Sequence, residues 1–263
     1  MEDRERERAG SDDDRLEFRG IGAGKLENFW YYHKWKVIIG LFFAVFIGIS
    51  IFQLIERDSP DIYVMYAGPK YLSATGTVSM RDAFRAIIDD YNDDGELGVG
   101  LVTLSCLTEE QIEERHQEAL AESRQFVIDR EANRQNIKQY DAEIFGGESV
   151  ICILDPSLYE RTREAGGFVR MDEIFTEEEL AGVKLYDSCG IYLTSLTGLT
   201  ERYSVFGDFP DDTVLCIRKV ATISAFKGRD KYEKIHEDHV DAFRRMVLFE
   251  YVSPETAADT DKK

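Results

Sequence analysis

The chain is poor in the residues that most metal, thiol and nucleic-acid chemistry requires. Its four cysteines, Cys106, Cys152, Cys189 and Cys216, form no C-x-x-C pair, which excludes a zinc knuckle and a thioredoxin-like redox motif. Cys152 in "SVICILD" and Cys216 in "TVLCIRK" sit in apolar runs and read as small core residues. Only four histidines are present, and no G-x-S-x-G, H-E-x-x-H or P-loop sequence occurs. "GIGAGK" at residues 20–25 has the glycines of a phosphate loop but no strand before it. His236 and His239 stand three apart near the C-terminus, and with no third ligand in sight they are expected on a solvated helix face. Neither metal nor cofactor is implied.

Basic residues are also scarce. The chain has 32 Lys and Arg against 51 Asp and Glu, a net charge of −19. Such a surface repels nucleic acid and anionic head groups, so no nucleic-acid partner is expected. Residues 1–36 hold eight Lys/Arg against nine Asp/Glu and residues 37–55 hold none, so −18 of this charge belongs to residues 56–263. With 43% hydrophobic and 12% aromatic residues the chain has enough apolar surface for a packed core.

One long apolar run is present, "VIIGLFFAVFIGISIFQLI", Val37 to Ile55. Its length as a helix is roughly 28 Å, close to the ~30 Å of a bilayer's hydrocarbon core. It has no charge and only Ser50 and Gln53 as polar side chains, which predicts a transmembrane helix with the lipid bilayer as its partner. Trp30, Tyr31, Tyr32 and Trp35 stand before it with Lys34 and Lys36, as rings and cations do at head-group level. The following "ERDSPD" has one basic residue, so the N-terminus is expected in the cytoplasm and the C-terminal domain outside it. The run exceeds a signal peptide's apolar region and no A-x-A site follows, which predicts an uncleaved signal-anchor in the cell membrane. Residues 1–36 read as a largely disordered tail with this interfacial belt, and residues 254–263 as a disordered end.

Residues 56–253 then alternate between strand and helix patterns. "DIYVMYAG" predicts a strand ended by Gly68-Pro69, and "SMRDAFRAIIDDY" a helix capped by Ser79. "LGVGLVTLS" is the second strand. From Thr108, with Gln111 as its capping-box partner, a helical stretch of nearly 40 residues runs to Gly146-Gly147, long enough that a break is expected. "SVICILD" predicts a strand buried on both faces, and Asp155-Pro156 the cap and first position of a helix. "GIYLTSL" and "DTVLCIRKV" are further strands, and the stretch from Arg229 is a terminal helix with Tyr232, Ile235, Val240, Phe243, Met246 and Val247 facing inward. The alternation predicts an α/β fold: a three-layer parallel or mixed sheet with helices on both faces, preceded by one transmembrane helix.

"DDYNDDGELGVG", residues 89–100, opens like a calcium loop, with Asp90, Asn92 and Asp94 at alternate positions before Gly95. The twelfth position, where an EF-hand places a bidentate Glu, is Leu101, at a strand rather than a helix. A helix-to-strand turn is therefore expected.

The segment "KQYDAEIFGGESVICILDPSLYERTREAGGFVRMDEIF" resembles extracellular solute-binding proteins of the type II periplasmic-binding fold. The matching positions are Gly146-Gly147, the strand Val150 to Leu154, and Gly167-Phe168-Val169 with Met171, Asp172 and Glu173. "GIYLTSL" looks like the strand that returns through the hinge in such proteins. The outer part is long enough for one lobe, whereas that family binds solute between two. As a whole the chain resembles uncharacterised single-pass membrane proteins of anaerobic Gram-positive bacteria. This resemblance implies a membrane-anchored extracytoplasmic recognition domain for a small solute or a partner protein, and not an enzyme. Two other readings stand beside it: an accessory subunit of a membrane transport or secretion complex without a small ligand, and a cell-surface hydrolase using a carboxylate pair.

Ligands of open α/β sheets sit beyond the carboxyl ends of the strands. The candidate binding residues are therefore Tyr66 and Gly68 after the first strand, Ser105 after the second, Asp155 and Ser157 after the third, and Thr194 and Ser195 after the fourth. Each also has a plain role as a turn or cap residue.

Overall fold

The structure, a computed structural model, describes residues 23–55, 60–219 and 229–250. The chain divides into two units, Met1–Arg57 and Asp58–Lys263. Residues 1–22 and 251–263 lie outside the described residues, and with them the expected disorder of 254–263 and most of the expected disordered tail.

In the first unit a single helix, α1 (Ala23–Ile55), includes both the aromatic belt and the apolar run, so residues 23–36 are helical. Its stretch His33–Ser50 is long and apolar enough to cross a membrane, and none of it is buried in the protein. Ser50 is accommodated by donating its hydroxyl to the Phe46 carbonyl at 2.8 Å, one turn back, which satisfies its own proton.

The second unit is an α/β domain around a mixed five-stranded sheet in the order β2-β1-β3-β5-β4. β1 (Ile62–Gly68) pairs in parallel with β2 (Val99–Ser105) and β3 (Ile151–Leu154). β5 (Val214–Ile217) is antiparallel to β3 and to β4 (Gly190–Tyr192). β1 and β3 lack polar alternation because both of their faces are covered. Along β1, Ile62, Val64 and Tyr66 enter one core with Met80, Ala83 and Phe84 of α2 (Ala74–Arg85) and Phe243, Met246 and Val247 of α8 (Arg229–Val247). Met65 and Ala67 enter the other core with Tyr140 of α4 (Arg130–Gly146) and Leu158 and Tyr159 of α5 (Pro156–Glu164). Full burial of each large side chain contributes roughly 1.5–3 kcal/mol, so the period-two alternation of the central strands fixes which helix covers which face.

Several elements differ from the sequence expectation. α2 starts at Ala74, five residues before Ser79, with Ser73 as N-cap accepting the Gly76 N–H at 3.1 Å. The long helical stretch breaks into α3 (Glu109–Ala121) and α4, with Ser123 at φ 54° after the first and Asp129 capping the second. The expected capping box is present: Thr108 and Gln111 exchange side-chain-to-backbone hydrogen bonds at 3.1 and 3.0 Å. "GIYLTSL" forms a strand only to Tyr192, because Ser195 turns its hydroxyl back onto the Tyr192 carbonyl at 2.7 Å in a 3₁₀ turn. Two short helices, α6 (Thr197–Arg202) and α7 (Ser204–Gly207), precede β5.

His239 corrects the expectation of a solvated face. It is 0% exposed, donates through Nδ1 to the Ile235 carbonyl at 2.6 Å and accepts the Tyr63 backbone N–H at Nε2, 2.8 Å. His236 remains half-buried, with Nε2 3.1 Å from the Arg218 carbonyl. Arg218 is buried, with no carboxylate partner among the described residues. Its guanidinium donates to the carbonyls of Glu143, Ile144 and Gly147 at 2.7–3.1 Å, closing the C-terminus of α4.

The loop at residues 89–98 is a turn built from side-chain caps. Asp90 accepts the N–H groups of Asp94 (3.2 Å) and Gly95 (2.7 Å), Asn92 that of Asp94 (2.9 Å), and Asp94 that of Glu96 (2.8 Å). Gly95 has φ 84°, a backbone conformation that glycine adopts without strain. Buried Asp61 ties both ends of the loop to β1, accepting N–H groups from Tyr91 (2.8 Å), Asn92 (3.2 Å) and Gly98 (2.7 Å).

Candidate functional site

The chain runs from β1 outward to β2, then crosses back over β1 to β3. Between β1 and β3 successive connections leave in opposite directions, and such a switch point opens a crevice at the carboxyl ends of the strands. Five of the candidate residues, Tyr66, Gly68, Ser105, Asp155 and Ser157, come together at this edge. The register places Gly68 opposite Ser105 and Ala67 opposite Leu154, the residue before Asp155.

Tyr66 is buried, with its ring 4.8 Å from that of Phe209. Its hydroxyl turns toward the strand end and accepts the backbone N–H of Lys70 at 2.8 Å. A Cβ on Gly68 would stand 3.0 Å from this hydroxyl, so a larger residue there would displace it. Burial is the main cause that pushes the Tyr66 phenol upward in pKa, partly offset by the Lys70 N–H, and the nearby Asp155 carboxylate adds to the rise. The group stays neutral at physiological pH. Lys70 in turn holds the loop after β1 in place: its Nζ donates to the Asp208 carbonyl at 2.8 Å and lies 4.7 Å from the Phe209 ring centroid.

Asp155 is buried and joins two helix starts. It caps α5, accepting at Oδ1 from the Ser157 N–H (2.9 Å) and the Ser157 hydroxyl (2.5 Å). Its Oδ2 accepts from Gln111 Nε2 at 2.7 Å. Since Gln111 also closes the capping box of α3, one amide fixes the starts of α3 and α5 relative to each other. The Gln111–Asp155 contact spans 44 positions, so the sequence shows only the local half of Gln111's role. Ser105 contributes its carbonyl, which accepts from Asn136 Nδ2 at 2.8 Å. Cys106, which follows it, is buried, and burial pushes its thiol up to about 12, away from the thiolate needed for nucleophilic or metal chemistry.

Thr194 and Ser195 lie apart from this group. They follow β4, which β5 separates from β3. Thr194 donates to the Asp211 carbonyl at 3.1 Å and Ser195 to Tyr192. Their bonds are those of a turn.

Arg115 was not a sequence candidate. It sits one turn after Gln111 on α3, half-buried, and donates to the Pro69 carbonyl at 3.2 Å at this edge. Tyr71, 78% exposed, stands on the same loop after β1. The signal that would have found Arg115 is the helical spacing from Gln111, four residues earlier.

No protein-family model, curated protein or solved structure matches the chain.

Proposed function

We propose that the chain is a single-pass membrane protein whose α/β domain recognises a small solute outside the cytoplasm. The observation that carries this reading is the convergence at the β1/β3 switch point of Tyr66, Gln111, Arg115 and Asp155, anchored on three different connections. A binding crevice needs polar groups held rigidly over an apolar floor. Here the Gln111–Asp155 bridge and the Lys70–Tyr66 contact provide the rigidity, and the buried Tyr66–Phe209 pair the floor.

The exposed apolar face of His33–Ser50 supports the membrane anchor. Trp35 and Lys34 at its start support the orientation with the domain outside. The resemblance to one lobe of type II periplasmic-binding proteins supports solute recognition rather than catalysis. In this reading the domain presents the solute at the membrane surface and performs no bond-making step.

One observation favours a partner protein instead. Leu120 in the last turn of α3 and Val127 in the α3–α4 connection are 57% and 77% exposed, and exposed apolar side chains are a feature of docking surfaces.

A thermal-shift screen of the full chain in detergent against sugars, amino acids and oligopeptides tests the solute reading. A raised melting temperature with a member of one class supports it. Stabilisation only by a membrane-protein partner moves the reading to the accessory-subunit role. Protease added to intact protoplasts tests the orientation: digestion of the domain is expected, and its protection contradicts the topology.

A further inference from the structure

We propose that Cys152 and Cys216 join in a disulfide that staples β3 to β5 when the domain folds in contact with a disulfide oxidant. Its occurrence in the cell rests on the extracytoplasmic reading above, since disulfides persist outside the cytoplasm. The structure describes the reduced form, in which both thiols are free.

The register sets the two residues directly opposite each other on antiparallel strands. Arg218 donates its backbone N–H to the Val150 carbonyl at 2.8 Å, and hydrogen-bonded pairs recur at every second position, so Cys152–Cys216 is a pair of this kind. Such a pair holds its Cα atoms about 5.5 Å apart, inside the roughly 4.4–6.8 Å that a disulfide spans. The two side chains share one core with Tyr140, Leu158 and Tyr159. Their thiols are close enough to hydrogen-bond each other, and Cys216 Sγ also stands 3.6 Å from the Cys152 carbonyl. The contact of Cys152 Sγ with the Val150 carbonyl is weak, at 3.7 Å, so little is given up when the sulfurs join. The other two cysteines are placed less well. Cys106 follows β2, which β1 separates from β3. At Cys189 it is the next residue, Gly190, that lies opposite Cys216.

Both residues are 0% exposed, and burial pushes the Cys216 thiol up, away from the thiolate that attacks a disulfide. The bond therefore forms before the core closes. One cysteine thiolate attacks the oxidant disulfide and releases a thiol. The second then attacks the mixed disulfide and releases the other thiol. The pair loses two protons and two electrons, and the oxidant takes them up as two thiols. Once made, the bond is shielded by the core from reducing thiols, and it links positions 64 apart in the chain.

The test is refolding of the full chain from denaturant into detergent with glutathione and glutathione disulfide. Alkylation in denaturant and peptide mapping, before and after reduction, then read the thiols. Cys152 and Cys216 are expected to escape alkylation until reduction, linked in one peptide pair, with Cys106 and Cys189 alkylated throughout. Refolding with a reductant instead should lower the melting temperature by about 5–15 °C, the shift of a typical disulfide in a domain of this size. Cys216→Ala should melt at the same temperature with and without reductant. If that variant fails to fold, the mapping of the wild type still decides. Four alkylated cysteines after refolding, or a bond from Cys189 to either residue, overturns the staple. The same mapping on protein quenched in acid straight from cells tests the location separately. Free thiols there, with the bond formed on refolding, contradict an extracytoplasmic domain and leave the pair standing.

Discussion

His239 of α8 accepts the backbone N–H of Tyr63 in β1 at 2.8 Å, with the two rings stacked 6.3 Å apart. β3 begins opposite Val64, so Tyr63 lies beyond the end of that ladder, and the imidazole takes the place of a strand carbonyl. The acceptor role requires Nε2 to be unprotonated while Nδ1 donates to Ile235. Burial, the main cause, brings the His239 pKa down to about 4 from 6.5. The unfolded chain therefore binds a proton that the folded chain refuses between about pH 6.5 and 4. His239 costs nothing above the upper value, stability declines as pH falls through the window, and the loss reaches about 3 kcal/mol at the lower one. Carboxylates held low by arginines or hydroxyls, such as Glu179 and Asp241, lose their contribution at more acidic pH. Titration of the His239 ring by NMR should give a midpoint near 4. A midpoint at the ordinary histidine value would contradict the buried contact.

Asp61 is expected to be among the most sensitive polar positions of the domain. Asp61→Ala leaves the N–H groups of Tyr91, Asn92 and Gly98 without their acceptor. The cost should be about 3 kcal/mol, since water entering the partly buried loop can satisfy some of the donors. The denaturation midpoint measures it. A change below about 0.5 kcal/mol, as for an ordinary surface site, would mean that the loop holds its shape without Asp61.

Calcium should stabilise the domain little. The carboxylates of Asp90 and Asp94 already accept backbone N–H groups, and Leu101 stands where a bidentate carboxylate would complete an EF-hand. Binding at the weak end, with calcium at about its dissociation constant, adds only RT ln 2, roughly 0.4 kcal/mol. Melting curves in chelator and in about 1 mM calcium compare directly. A rise of several degrees that Asp90→Ala abolishes would show that a remote carboxylate joins the loop.

Asp155→Ala should destabilise by about 1 kcal/mol for the lost cap, and somewhat more because Gln111 loses its acceptor. Asp155→Asn should restore most of the cap. An unchanged midpoint together with lost solute binding would give Asp155 a direct role in the ligand contact.

The sequence is most informative where the cause of structure is local. Thr108 and Gln111 are three residues apart, and Asp155-Pro156 are neighbours, so both helix starts are legible. The apolar runs of β1 and β3 likewise declare strands covered on both faces. Ser79 misleads as a cap because "ATGT" after Ser73 is rich in weak helix formers. Tertiary packing of Met80, Ala83 and Phe84 overrides that propensity. His239 is illegible for a different reason: its partner is 176 residues away, and polar neighbours on its helix suggest solvent. At the crevice, the cap residues are legible and the groups that converge with them are not. Spacing places Arg115 on the helix face of Gln111, but its contact with Pro69 spans 46 positions, over which spacing carries no signal.

Hydrogen exchange read by mass spectrometry, on the full chain with and without the best-stabilising solute of the screen, tests solute recognition at the β1/β3 switch point most directly. Recognition at the carboxyl edge predicts new protection in residues 66–73, 107–116 and 155–160, the three connections that hold Tyr66, Arg115 and Asp155. Protection confined to residues 120–130, or to the opposite end of the sheet around Asp61, would place the site elsewhere and contradict the account.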